Sequence, residues 1–598
     1  MTTPDHAQAN HTYPPTAAVP PAARRALFAD DRLGMGNFLD RVRDVHPAPR
    51  EPYLWAVPRG GTPEDAHPLS LDGITRIRDA YAAWFHAAGV AKGDPVAVYL
   101  DDGIGYFLHY LALSSLGAVP ALVNGRMPAP VAADYLARMG AVGVVAESGR
   151  LTELRKAGGP GTDRLHFAVD AAAMPNERTA DSRLPVLFPY PHADADPIML
   201  CHTSGTTGAP KAATFGHRQF FLGKRERLLS FPQADEGNRL LTALPQSHSA
   251  GISYLMTATL LGLPTMVMAD SDGASVRAAM RAFEPTVVAA FPQTYVDLAS
   301  LDLAGWGSSK VHTWINTGDS AHEAHIRALV RYGRRPDGKG AYLPGSRFVD
   351  GLGSSEMGMA LFRKVSEPES EDYGRCVGVP IDVVDEVTVL DDEGRPLAPG
   401  QPGRLGVRTP TVTPGYWNDS RRTAQSSFSG YWLTGDVVSQ SEDGRIFHLD
   451  RIPDVIRTAH GNVYSLPMEE VMLSVAGVAD CAVIGVTDPE TGRQAPFGVV
   501  RTEDGGPEPA ELLDTLNAAL TAAGQPLLHG AGSTELPLGP TGKVLKRRLR
   551  EDYASVLTDA ITDGAGGARS KAALARSRPS AAPYEAPKSH TKTVEESA

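Results

Sequence analysis

Short apolar runs alternate with longer stretches of helical periodicity over most of the chain. Residues 95–100 (PVAVYL) read as a buried strand and 103–116 as the helix after it. Segments 118–123 and 142–146 read as strands flanking a helix at 131–139. The alternation continues through strands at 197–201 (PIMLC), 240–244, 265–268, 286–290 and 311–315. Strands alternating with helices predict an α/β architecture of largely parallel sheets, with ligands near the carboxyl ends of the strands. The most apolar stretch, 251–268, is cut by Gly262 and Pro264 and dotted with Ser and Thr. It predicts a buried helix followed by a strand, not a membrane span.

From Val387 the pattern changes to a hairpin-rich β segment, with turns at Asp392-Glu393-Gly394 and Pro399-Gly400. After Arg451 a smaller α/β unit begins, with a helix at 468–475 and a strand at 482–486, closing near Arg550. The expected fold class is therefore α/β: a large N-terminal α/β domain of two or three subdomains with a β-rich segment, plus a small, mobile C-terminal α/β cap. Expected boundaries are a flexible arm at 1–25, the N-terminal domain at 26–449, a hinge at 450–454, the cap at 455–557 and a disordered tail at 558–598. Both ends are rich in Pro, Ala and polar residues and offer too little apolar surface to offset ordering entropy.

Composition narrows the function classes. At roughly 100–200 residues per domain, the 598 residues divide into three or four units. Lys and Arg number 57 against 69 Asp and Glu, so the net charge is −12 and no basic footprint for nucleic acid exists at the level of the chain. Cys201, Cys376 and Cys481 form no CxxC pair. That excludes a disulfide framework and a cysteine-rich zinc site, and it fits a reducing cytoplasm. The first thirty residues contain no apolar core of a secretory signal. The expected setting is cytoplasmic, with small-molecule partners, no nucleic acid and no membrane; the oligomeric state is left open.

The sharpest local signal is Thr203-Ser204-Gly205-Thr206-Thr207-Gly208-Ala209-Pro210-Lys211, directly after the 197–201 strand. Glycines let the backbone turn and present N–H groups, hydroxyls add donors and Lys211 adds charge, a combination suited to a polyphosphate. By composition alone, a generic Gly/Ser/Thr turn fits equally well. The Walker A pattern is not met, here or at Gly539-Pro540-Thr541-Gly542-Lys543. TSGTTGAPK resembles the signature of the adenylate-forming enzymes, which include acyl- and aryl-CoA ligases, peptide-synthetase adenylation domains and luciferases. Further motifs follow in the family's order: Pro245 to Gly251 resembles PxxHxxG, and Gly351-Leu352-Gly353-Ser354-Ser355-Glu356 resembles YGxTE. Tyr431 to Asp436 resembles WxxTGD, Asp450-Arg451 with Asp454 the hinge motif, and Pro540 to Lys543 PxGK. The resemblance covers about residues 70–550.

It implies ATP and Mg²⁺, and attack of a substrate oxyanion on the α-phosphorus with release of pyrophosphate. Two anions about 4 Å apart repel by roughly 4 kcal/mol at an effective dielectric near 20, so cations must hold them together. By resemblance, Lys543 is the catalytic lysine that reaches both anions and His248 walls the acid pocket. Glu356 holds Mg²⁺, with Thr206 as a second metal-site oxygen. Thr203, Ser204, Gly205, Thr206, Thr207, Gly208 and Lys211 form the phosphate loop. Gly318, Asp319 and Ser320 line adenine together with Asp350, Gly351, Leu352, Gly353 and Ser355. Leu352 stands where the family carries a stacking tyrosine, so apolar packing on adenine is expected. Asp436 accepts from the ribose hydroxyls, and Arg451 contacts ribose or phosphate.

Two departures bear on the acceptor. The family's cap rotates after adenylation about a pivot two residues past the motif arginine, and here that residue is Pro453, whose fixed φ opposes a large swing. The following loop, 456–469, is spaced differently from the family's pantetheine-lining loop. CoA is therefore left open as a cofactor. The leading reading is adenylation of a small aromatic acid; the alternatives are diazotase-type activation of nitrite for an arylamine, aryl- or acyl-CoA ligation, and a silent nucleotide-binding scaffold.

Overall fold

The computed structural model describes residues 13, 18–101, 103–203, 210–231, 237–487, 492–502, 506, 509–533, 536–539 and 543–554. Two sheets carry the large N-terminal part. The first has six strands, ordered Phe167–Asp170, Gly143–Ala146, Pro95–Leu100, Val119–Asn124, Pro197–Thr203 and Lys211–Gly216. All pair in parallel except the last two, where Thr203 faces Lys211 across an antiparallel ladder. These two residues thus stand close to either side of segment 204–209, which lies outside the described residues. Pro95–Leu100 and Val119–Asn124 are buried along their whole length, as strands covered on both faces must be.

The second sheet is 14-stranded. Its parallel centre runs Arg347–Asp350, Thr313–Asn316, Val287–Ala290, Leu240–Thr242, Thr265–Met268 and Pro52–Val57. Antiparallel strands from Phe362–Ser366 to Ile446–Arg451 extend it, including the hairpin of Glu386–Leu390 with Gly403–Arg408. The carboxyl ends of the parallel strands gather segments 245–248, 317–320 and 351–356 at one edge. The apolar stretch forms the buried helix Ser249–Leu261 and the strand Thr265–Met268, turned between them at Gly262 in the left-handed region (φ 61°).

After residue 454, three strands (Val478–Thr487, Gln494–Thr502, Gly530–Gly532) carry helices Ser465–Met472, Pro509–Ala522 and Lys546–Asp552 around Met468, Met472, Val483 and Leu516. The first of these helices starts three residues before the expected 468. Both the N–H and the hydroxyl of Ser465 donate to Asp450 Oδ2 (2.7 and 2.8 Å), and Pro467 falls in the first turn, where a missing N–H costs nothing.

The expected arm at 1–25 is corrected over its described part. Val19 is buried and its N–H donates to Leu261 O at 2.9 Å; Pro21–Ala29 is a helix with Leu27 buried. Pro20 and Pro21 start that helix. The expected tail at 558–598 lies outside the described residues. Among the described residues, no helix is long and apolar enough to cross a membrane.

Candidate active site

A cavity of about 1210 Å³ opens where the carboxyl ends of the strands meet the C-terminal unit. Thr203, Lys211, His248, Gly318, Glu356, Arg451 and Lys543 all line it. Residues more than 300 positions apart in sequence therefore share one wall. Lys543 reaches it on a short bridge in which Gly539 N–H donates to Lys543 O (2.7 Å) and Leu545 N–H to Pro537 O (2.7 Å). Its Nζ lies 3.5 Å from Asp319 Oδ2. Burial pushes the Asp319 carboxyl up, but Lys543 and then His448 and two arginines outweigh it and hold it at about 2.

His248 caps the helix Ser249–Leu261, taking the Ala250 N–H on Nδ1 at 3.1 Å. That bond leaves the ring proton on Nε2, for which no acceptor exists among the described residues. Burial, with His202 and Lys543 adding to it, lowers the imidazole to about 3. His248 is thus a neutral donor in the cavity wall, and the fixed positive charge comes from lysine and arginine.

Glu356 is half-buried. Tyr416 Oη donates to its Oε1 at 2.8 Å, and Lys211 sits 5.2 Å over the Tyr416 ring. Burial lowers the Lys211 pKa, and Glu356 works against that shift. Among the described residues no group of three or more His, Cys, Asp or Glu could hold a metal. A Mg²⁺ ion here would take Glu356 as its carboxylate and complete its shell with phosphate oxygens and water, the usual arrangement for this ion.

Asp436 is sealed beneath Arg451, whose Nη1 donates to Oδ1 at 2.9 Å. Burial pushes its pKa up, but Arg451 and His448 outweigh that and hold it well below the usual carboxylate range. Its Oδ2 has no hydrogen-bond partner among the described residues, and neither does Asn316 Oδ1 on the cavity wall. Buried acceptors without donors are costly, and a ribose diol offers the donors they lack. The residues present fit a nucleotide.

Two expectations are revised. Leu352 is 3% exposed and packs with Met357, Leu361 and Val377 in the interior, not on the cavity wall. Gly353 bridges to Ala360, and Leu361 N–H donates to Leu352 O (3.0 Å), which turns the leucine inward. Asp350 lines the cavity but is spent on structure. Its carboxylate accepts from Asn316 Nδ2 (2.7 Å), Gly351 N–H (2.8 Å) and Ala321 N–H (3.0 Å), fixing the 317–320 turn. Gly351, Gly353 and Ser355 line the cavity. Ser320 belongs instead to a separate cavity of about 10 Å³ against Glu470. Ser204, Gly205, Thr206, Thr207 and Gly208 lie outside the described residues.

The AMP-binding enzyme model matches residues 73–417, and the model of its C-terminal domain matches 467–543. The chain belongs to the AMP-binding enzyme family. It is an enzyme of the AMP-forming ligase type, with the α/β fold of a large N-terminal and a small C-terminal domain. It is 38% identical over 560 residues to a 3-aminoavenalumate diazotase of a Streptomyces species, covering 89% of this chain and 98% of the relative. A 3-amino-2-hydroxy-4-methoxybenzoate diazotase of Streptomyces cremeus is 28% identical over 74% of this chain and 82% of its own. An anthranilate CoA ligase structure in complex with anthranoyl-AMP superposes with a TM-score of 0.72, at 18% identity over 88% of this chain and 98% of its own.

The structure also brings in residues that sequence reasoning missed. On the C-terminal unit, Glu470 reaches across to the large domain: it pairs with His322 Nδ1 at 2.8 Å, accepts the Glu323 N–H at 2.5 Å and lies 3.4 Å from Arg375 Nη1. Burial pushes Glu470 up, but His322 and Arg375 prevail and hold it at about 2. A glutamate in a helix has no local signal for such a link. Likewise Gly223 and Arg227, on the helix His217–Ser230, line the cavity away from every motif.

Proposed function

We propose that this enzyme adenylates nitrite with ATP and passes the activated nitrogen to the amine of an arylamine, releasing AMP. The observation that carries the reading is that one continuous cavity holds the Lys543, His248 and Glu356 end together with a second end lined by Gly223, Tyr254 and Met359. An amine bound at the second end can meet an adenylate formed at the first without any rotation of the C-terminal unit. Glu470 and its buried partners tie that unit down with Lys543 in the cavity, and Pro453 stands at the pivot. The likeness to two diazotases supports the same acceptor.

In this proposal ATP binds with its ribose at Asp436 and Arg451, its adenine at the 317–320 turn and its phosphates at the 203–211 loop and Lys211. Mg²⁺, held by Glu356 and supported by Thr206, neutralises phosphate charge when bound. Lys543 draws the nitrite oxyanion and the α-phosphate together, and the neutral His248 offers its Nε2–H to the oxyanion. A nitrite oxygen bonds to the α-phosphorus as the bond to pyrophosphate breaks. The arylamine nitrogen then bonds to the nitrite nitrogen, AMP leaves, and the amine loses a proton. The resulting N-nitrosoamine shifts its N–H proton to oxygen, and the diazo hydroxide so formed takes up a proton and loses water to give the diazonium. CoA has no part in this sequence. We place the hinge at 450–454 and the mobile unit after it.

The test is pyrophosphate release from ATP and Mg²⁺ with nitrite, against a panel of aryl acids. Nitrite-dependent release, followed by diazonium formation when an aminobenzoate is added, is the expected result. Release driven by aryl acids alone, with nitrite inert, would return the enzyme to acid activation. Glu356→Gln should shift the Mg²⁺ titration upward by roughly ten- to a hundredfold, the scale of losing a metal-site partner. An unchanged titration would remove Glu356 from the metal site.

A further inference from the structure

Arg227 stands on the cavity-facing side of the helix His217–Ser230, one turn after Gly223. Its Nη1 donates to Thr257 Oγ1 at 3.0 Å and to Ser253 Oγ at 3.3 Å, both on the helix Ser249–Leu261. Thr257 donates its own hydroxyl proton to Ser253 O at 2.8 Å, so its oxygen is committed to accepting from the guanidinium. The guanidinium carbon lies 4.9 Å over the Tyr254 ring. One nitrogen and one face of Arg227 are therefore fixed by the protein.

The opposite edge, Nε with Nη2, is the pair of parallel N–H groups that matches a carboxylate. Among the described residues it has no acceptor, and Arg227 has no acidic partner within ion-pair distance. The neighbouring Glu226 is exposed and also lines the cavity, but it makes no ion pair with Arg227. Lys224 does not compete for an anion. It is 3% exposed, 3.2 Å over the Phe220 ring, and burial, then Arg227, drives its pKa well below the ordinary lysine value. Gly223 keeps the approach open: a Cβ there would stand 3.2 Å from the Met359 sulfur.

We infer that Arg227 is a specificity-determining anchor that takes, by a two-pronged hydrogen bond, a carboxylate carried by the arylamine acceptor on the side away from its amine. The acceptors are then aminoaryl carboxylates, bound with the acid at Arg227 and the amine toward Lys543 and His248. This rests on the nitrite-activating reading, in which the substrate's carboxylate is a handle and not the reacting group.

The experiment compares 3-aminobenzoate and 3-aminocinnamate with their methyl esters in nitrite- and ATP-dependent diazonium formation. The unmodified protein should favour the acids. Arg227→Gln should raise KM for the acids by roughly ten- to a hundredfold, the value of hydrogen bonds to a charged group, with kcat little changed, so that acid-over-ester selectivity collapses. Arg227→Lys should restore part of that selectivity through its charge. If Arg227→Gln does not fold, Ser253→Ala with Thr257→Val loosens the guanidinium and should lower selectivity in the same direction. Equilibrium titration of 3-aminocinnamate onto each protein gives a readout independent of turnover. Equal affinity in the unmodified protein and Arg227→Gln, or retained acid-over-ester selectivity, overturns the anchor. Absence of nitrite-driven pyrophosphate release from the unmodified protein, with Arg227-dependent titration intact, overturns the nitrite reading and leaves the anchor standing.

Discussion

Lys543→Ala should lower the rate of adenylate formation by roughly 10²–10³-fold, the cost of removing a charge aimed at the transition state, while ATP still binds. The reason is where the charge sits. Lys543 lines the cavity beside His248, and His248 is neutral, so it cannot replace a cation between two approaching anions. Arg451 is engaged with Asp436, and Lys211 lies over Tyr416 beside Glu356. Nucleotide affinity is spread over these other residues and should change little. The loss therefore falls on kcat. Nucleotide binding measured by titration, beside single-turnover pyrophosphate release, checks the split. If affinity and rate fall together by the same factor, Lys543 is a ground-state phosphate contact instead.

The same residues show what a sequence can and cannot disclose. Lys543 and Glu356 sit in short motifs whose turns dictate their own geometry, so their convergence on one cavity was legible. So were the parallel strands, because continuous apolar runs such as PVAVYL have one simple burial solution. Leu352 was not legible: which way a residue faces between two glycines depends on the Gly353–Ala360 bridge, a tertiary contact. Asp350 looked like a ligand contact because it adjoins a motif, yet its oxygens are consumed by the 317–320 turn. Arg227 was invisible for the opposite reason. In the sequence it is one more charge on the run Lys224-Arg225-Glu226-Arg227, and only the packing of Ser253, Tyr254 and Thr257 against it marks out its free edge. The prolines near residue 20 misled by composition, since proline is common both in disordered arms and at the first turn of helices.

The second large effect concerns the C-terminal unit. Lys546→Met should lower the free energy of opening of that unit by about 3–5 kcal/mol, because it strips a buried carboxylate of its partner. Lys546 Nζ lies 2.6 Å from Glu469 Oε1, with side-chain exposures of 11% and 4%, and it also donates to Ser465 Oγ. Glu469 Oε1 in turn takes the Val483 N–H at 2.7 Å, so the pair joins both helices to the edge strand Val478–Thr487. Burial pulls the Lys546 pKa down, but Glu469, Asp450 and Asp454 outweigh it and leave it above the ordinary lysine value. A base whose folded pKa is raised contributes stability that is complete below its unfolded pKa, near 10.4, and is lost as pH rises through the folded value. The pair should thus hold unchanged from neutrality to about pH 10 and loosen only in stronger alkali. Amide hydrogen exchange along Val478–Thr487 reads the opening directly. The single variant should expose those amides while exchange in Pro95–Leu100 stays as it was. Adding Glu469→Gln, which removes the stranded charge and keeps an oxygen for Val483, should recover much of the loss. If the single variant exchanges like the unmodified protein, or the double variant is no better than the single one, the buried pair does not hold this unit together, and apolar packing around Met468 and Leu516 must carry it alone.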